Sequence, residues 1–399
     1  MDDQLLRRYA GLIVEVGANV QPGQTVWIVA EPSAAPLARL VAAAAYERGA
    51  RFVDPWYFDP YVKRIRLERA AEETLEFVPS WYGRRLLDLG EGHGVRISIT
   101  PQVPPGILAG IDPALAGRDA LPALAQNFDV INAKTTNWTV VPWPSPAWAR
   151  IVHPGVDDET ALARLWDQVI YVLRLDEPDP AAAWRARLAE LHEVGKRVDA
   201  HRFDALRFEG PGTDLTVGLL PTSRFAAETP GMQTVDGIVH APNLPTEEIN
   251  TTPDPMRTDG VVSATKPLDL GGAVIRDLHV RFEGGRAVEI EGDGAEALRA
   301  RSGKDEGGSR LGEVALVDRT SRIGKTGAIF FNTLLDENAA SHIALGNAYA
   351  ISVGAEDRER INRSSIHIDF MIGSDDVTVS GVKAGGGEVT VLRGGDWQV

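Results

Sequence analysis

Apolar residues recur at helical spacing over residues 4–17, where Leu5, Leu6, Tyr9, Leu12, Ile13 and Val16 would line one face. Pro22-Gly23 marks a turn, and Thr25–Val29 is a short run typical of a buried strand. A second helix is expected over Ala34–Arg48, closing at Gly49. Phe52-Val53 opens another strand, and Val95–Ile99 and Val130–Asn132 read as further ones. Helix and strand alternating in this way predict a mainly parallel sheet with crossover helices. Thr160–Leu173 and Ala181–Val194 read as two more helices, the second announced by Pro178-Asp179-Pro180.

The pattern changes near residue 200. Leu206–Val217 reads as two strands around a Gly-Pro-Gly turn, and Val261–Ile290 continues in short alternating segments with glycine turns. A chain of 399 residues exceeds the size at which one core keeps growing. The expected organisation is an α/β N-terminal domain with a mainly parallel sheet over residues 1–197. A mixed α+β, β-rich C-terminal domain follows over residues 198–399. The Pro- and Trp-rich stretch Trp138–Trp148 has two readings, a packed connection along the sheet or an aromatic wall for apolar substrate groups.

A formal net charge of -15 argues against nucleic acid or an anionic membrane as partner, since both need a basic footprint. The acidic start Met1-Asp2-Asp3-Gln4 does not resemble a signal peptide. Apolar runs such as Val41–Ala45 fall far short of the ~18 residues of a membrane span. A cytoplasmic enzyme is the expectation. With no cysteine in the chain, any metal site has to use His, Asp, Glu or Tyr.

Such groups concentrate in two segments. Ser365–Ile372 alternates polar and apolar residues, so His367 and Asp369 would share one strand face. Two polar groups on a buried face cost several kcal/mol unless paired, about the range of an unsatisfied polar burial. A metal ion, a hydrogen-bonded His–Asp pair or a solvated face would each answer this. In Asp336–His342, Glu337 and His342 are five apart, ~140° around an ideal helix. Glu337 is therefore expected at or before the start of a helix carrying His342, with Tyr349 on the same face as His342 or simply packed. Glu313 follows Gly312 at the start of an apolar strand, either as an exposed edge residue or as a ligand approached closely beside the glycine. Of Glu247 and Glu248, at most one would face a site, because neighbours on an extended chain point opposite ways. Gly324-Lys325-Thr326 lacks the upstream glycine of a phosphate-binding loop, since position 319 is Arg319.

Across nearly its whole length the chain resembles the aminopeptidase T / aminopeptidase S type of thermophilic metallo-aminopeptidases. The likeness rests on Tyr9–Gly17 with Val20–Gln24, Trp138–Trp148, Asn243–Glu248, Leu311–Val317, Asp336–His342 and His367–Ser374. The resemblance implies a two-metal site (Zn, Co or Mg) held by Glu248, Glu313, Glu337, His342, His367 and Asp369. It also implies that Glu313 bridges both ions, that Tyr349 is the active-site tyrosine, and that a homodimer encloses a cavity. Asn250 departs from the pattern, which places an aromatic residue there.

The chemistry expected is hydrolysis of peptides with a free N-terminus by a metal-activated water. Tyr349 would donate to the oxyanion, and Glu248 or Glu247 would move the proton. A broad preference for hydrophobic N-terminal residues is expected. The alternatives are another two-metal amidase or phosphoesterase, or a non-catalytic peptide-binding protein.

Overall fold

The computed structural model describes residues 2–399 apart from 101–106, 109, 120, 122–125 and 271–272. The chain forms two compact units, residues 1–188 with 228–246, and residues 189–227 with 247–399.

In the first unit, strands Phe52–Tyr57, Thr25–Ala30, Val95–Thr100 and Asn137–Pro142 lie side by side in that order, all parallel. Helices connect them, as parallel pairing requires. The opening helix Asp3–Leu12 is capped by Asp2, whose carboxylate accepts from the Gln4 N–H at 3.0 Å. Helix Ala35–Glu47 ends before Gly49, which takes a left-handed φ of 87°. The expected strand at Val130–Asn132 is instead the end of a helix, Gln126–Ala133, which stops where Lys134 turns to φ 55°. The fourth strand lies further on, inside the Trp-rich stretch. Trp148 there is wholly buried, and Trp143 meets Trp166 edge-on with ring centroids 5.2 Å apart. Both rings are packing groups of this unit, not exposed wall.

The second unit is antiparallel. Ala205–Gly210 and Thr213–Leu219 form the expected hairpin within a nine-stranded sheet. A separate four-stranded sheet runs His367–Met371, His342–Gly346, Leu311–Val317, Glu248–Thr251. One face of this smaller sheet carries Ile249, Val314, Leu316, Ile343, Leu345, Ile368 and Phe370. These pack into one core with Phe208, Leu215, Val217, Val280 and Phe282 of the larger sheet. Each such side chain contributes about 1.5–3 kcal/mol on burial. That core fixes the register of all four strands, because a one-residue slip would turn the apolar set outward. Among the described residues, no helix is long and apolar enough to cross a membrane.

Candidate metal centre

The opposite face of the small sheet gathers the chemistry. Glu313 lies opposite Ala344, which lies opposite Asp369. His342 pairs with Ala315 on one side and Met371 on the other. His367 lies opposite Gly346, and Glu248 opposite Val317. Directly opposed residues point the same way, and so do residues two apart. Glu248, Glu313, His342, His367 and Asp369 therefore share one face, with only small residues, Ala344, Ala315 and Gly346, at its middle.

A β-bulge makes this possible. Leu311 pairs with Leu345, yet Glu313, two residues on, pairs with Ala344. In an unbroken strand, Leu311 and Glu313 would face the same way. The extra residue, Gly312, lets Leu311 enter the core while Glu313 turns to the polar face. A Cβ at Gly312 would lie 2.4 Å from the carbonyl oxygens of Gly346 and Asn347, so only glycine fits.

His342 does not lie on a helix. It opens strand His342–Gly346, and Glu337 begins a 3-10 turn, Glu337–Ala339, after the short helix Thr333–Asp336. Tyr349 follows that strand, so it reaches the site from the strand's exit and not from one turn of a helix. Its ring centroid is 5.1 Å from that of His367.

Ligand-type atoms of Glu248, Glu313 and His342 lie within 4.8 Å of one another, and so do those of Glu313, His367 and Asp369. Glu313 belongs to both groups. His342 Nε2 is 3.3 Å from Glu248 Oε2, while His367 Nε2 is 3.2 Å from Glu313 Oε2 and 3.4 Å from Asp369 Oδ1. Each imidazole is turned by a backbone carbonyl: His342 Nδ1 faces Ala340 O at 3.2 Å, and His367 Nδ1 faces Asn347 O at 2.7 Å. A proton on Nδ1 leaves the Nε2 lone pair for a cation, the arrangement usual behind metal-bound histidine.

Electrostatics mark the cluster as short of positive charge. Burial raises the Glu248 carboxyl pKa to about 7; Glu313 and Asp369 push the same way while His342 opposes them. Burial, then the charges of Asp369, Glu248 and Glu313, raise that of Glu337 well above the carboxylate range. Burial alone would lower the His342 pKa, but the carboxylates of Glu248, Asp369 and Glu313 outweigh it and raise it. Burial would also raise the Asp369 pKa, but His367 outweighs it and holds it low. Burial pushes the Tyr349 phenol up to about 12. Four buried carboxylates beside two imidazoles are costly unless cations balance them. Glu248 Oε2 is moreover buried without a hydrogen-bond partner among the described residues. The donor set of carboxylate oxygens and imidazole nitrogens fits divalent zinc, cobalt or a similar ion.

Sequence reasoning passed over the groups that hold these side chains. Asn338 is wholly buried; its Oδ1 accepts from Glu247 N–H at 2.6 Å, and its Nδ2 donates to Leu334 O at 3.0 Å and towards Glu337 Oε1 at 3.4 Å. It thus ties the approach to Glu248 to the turn bearing Glu337. The Asp336 carboxylate accepts from Phe330 and Asn332 N–H at 2.8 and 3.0 Å, closing the loop before Glu337. Their place beside Glu337 was the only signal in the sequence. Arg363, the basic residue nearest His367 in sequence, is exposed and paired with Glu359 at 3.3 Å.

A family model for thermophilic metalloproteases (M29) matches residues 2–397. The chain is 40% identical to aminopeptidase T of Thermus aquaticus, over 99% of this chain and 98% of that one. It is 37% identical to aminopeptidase 2 of Geobacillus stearothermophilus, over 98% and 97%. A solved structure of wild-type AmpT from Thermus thermophilus superposes with a TM-score of 0.88 at 40% identity, covering 99% of each chain. With a full-length match and a cluster suited to metal on one sheet face, this chain belongs to the thermophilic metalloprotease (M29) family.

Proposed function

We propose that this protein is a metal-dependent aminopeptidase that releases N-terminal residues from peptides, at a site on the polar face of the Glu313 strand. The observation that carries this reading is the sharing of Glu313 between two ligand groups. Glu248 and His342 would hold one divalent ion with Glu313, and His367 and Asp369 a second, making Glu313 the bridge. Glu337, whose carboxyl feels the charges of both groups, completes the set. Bound there, a metal pair supplies an activated water, polarisation of the scissile carbonyl and an anchor for the free α-amine.

The remaining steps fall to the chain's own groups. A carboxylate has to accept the water's proton and return it to the leaving amine. Glu248 is assigned that part, and Glu247 is the second choice. The Tyr349 hydroxyl beside His367 donates to the oxyanion of the tetrahedral intermediate. A broad preference for hydrophobic N-terminal residues such as Leu or Phe belongs to the proposal, and so does a homodimer. A faster turnover of acidic than of leucyl p-nitroanilides would reject the first, and the mass of a single chain by light scattering the second.

Among other hydrolases, a phosphoesterase would require basic groups at the site, and Arg363 is engaged elsewhere. The test is Glu313→Gln together with N-acetylated substrate. The variant is expected to lose metal and activity together, and N-acetyl-leucyl peptides to resist cleavage. A fully active variant would remove Glu313 from the bridge, and ready cleavage of acetylated peptides would point to an amidase or endopeptidase.

A further inference from the structure

Asn250 stands two residues after Glu248 on the same strand and therefore on the same face, opposite Ala315. Its Nδ2 donates to Glu248 Oε1 at 3.1 Å. The other oxygen, Oε2, takes no hydrogen bond among the described residues and lies 3.3 Å from His342 Nε2. The two oxygens of one carboxylate are thus treated differently: one is tied down by a neutral donor, and the other is left bare towards the cluster. A neutral amide suits this place. A lysine or arginine would bring a fixed positive charge that competes with a bound cation, and an acid would add to the four carboxylates already there.

The geometry points to Asn250 as a positioning residue. It holds the Glu248 carboxylate so that Oε2, and not Oε1, is offered to a divalent ion. This inference rests on the reading of Glu248 as a metal ligand. Without the amide, the carboxylate regains rotational freedom that ion binding must then remove. Groups that orient a ligand from behind typically account for about 10–100-fold in metal affinity.

The experiment compares wild type, Asn250→Leu and Glu248→Gln as metal-free full-length proteins titrated with Co²⁺. Heat and the visible absorption of bound cobalt are read together, and the melting temperature is taken without metal. Asn250→Leu removes the donor at similar volume. It is expected to bind one equivalent of Co²⁺ about 10–100-fold more weakly, with an altered cobalt spectrum and an unchanged metal-free melting temperature. A lowered melting temperature with unaltered affinity and spectrum would assign Asn250 a structural role only and overturn the inference. If Glu248→Gln loses cobalt while Asn250→Leu binds as wild type, the positioning role fails alone. If Glu248→Gln itself binds as wild type, the ligand reading fails, and the inference with it. Asn250→Ala, which adds no bulk, carries the same comparison should the leucine variant not fold.

Discussion

Glu313 and Asp369 stand directly opposite the same residue, Ala344, on the strands to either side of it. The two carboxylates thus look past a single buried methyl group, and the space they share exists because position 344 is small. Replacing Ala344 with Leu is predicted to fill that space. Metal uptake and peptidase activity should both be lost, at an overpacking cost of about 1–3 kcal/mol and with an unchanged far-ultraviolet circular dichroism spectrum. An Ala344→Leu protein that keeps its metal, measured by elemental analysis, would show that the ions do not sit over this row.

The bulge at Gly312 makes a second demand. An alanine there would press against two backbone carbonyl oxygens that belong to the neighbouring strand's exit. Gly312→Ala is expected to lower stability by about 1–3 kcal/mol in urea unfolding and to impair activity more than the folded fraction explains. A variant with wild-type stability and activity would mean that Glu313 reaches the site without the bulge.

Under this proposal Tyr349 serves the reaction and does not hold the metal. Tyr349→Phe keeps the ring beside His367 and removes only the hydroxyl. It should lower kcat by about 10²–10³-fold, as for loss of one oxyanion donor, with KM little changed and metal content intact. A matching loss of metal would assign the hydroxyl to ion binding instead.

His240 provides a test of stability within the first unit. It is buried, with its ring centroid 6.4 Å from that of Trp138, and burial lowers its pKa from 6.5 to about 4. The unfolded chain takes up a proton near pH 6.5 that the folded protein refuses until about pH 4. Stability from this residue is therefore fully present above that window and is lost as pH falls through it, by up to ~3 kcal/mol. His240→Gln should weaken the pH dependence of urea unfolding between pH 7 and 4.5. Parallel curves for the two proteins would contradict the burial of a neutral imidazole.

Much of this arrangement was legible in the sequence where side-chain periodicity was unbroken. Alternation in Ser365–Ile372 placed His367 and Asp369 on one face, and the strand holding them keeps that alternation. The helix–strand rhythm of the first 100 residues likewise predicted the parallel strands. Short apolar runs were read less well. Ile343-Ala344-Leu345 suits a helix or a strand by composition, and only pairing of Ala344 with Glu313, 31 residues before, and Asp369, 25 after, decides for a strand. Val130–Asn132 failed in the opposite sense, since three residues carry no period. Gly312 reads in the sequence as room beside Glu313, but the shift in register itself leaves no local pattern. It arises from the conflict between a leucine that belongs in the core and a glutamate that does not. Asn338 carries no mark of a site residue in the sequence, and Asn250 stands out only as a departure from the family pattern, because their roles are set by hydrogen bonds that only the folded sheet brings into range.

The most direct test is a metal titration of the activity itself. Protein stripped with chelator and dialysed should be inactive on leucyl p-nitroanilide. Added Zn²⁺ or Co²⁺ should restore turnover, reaching its full value as the second equivalent per chain binds. Full activity in demonstrably metal-free protein would contradict the account.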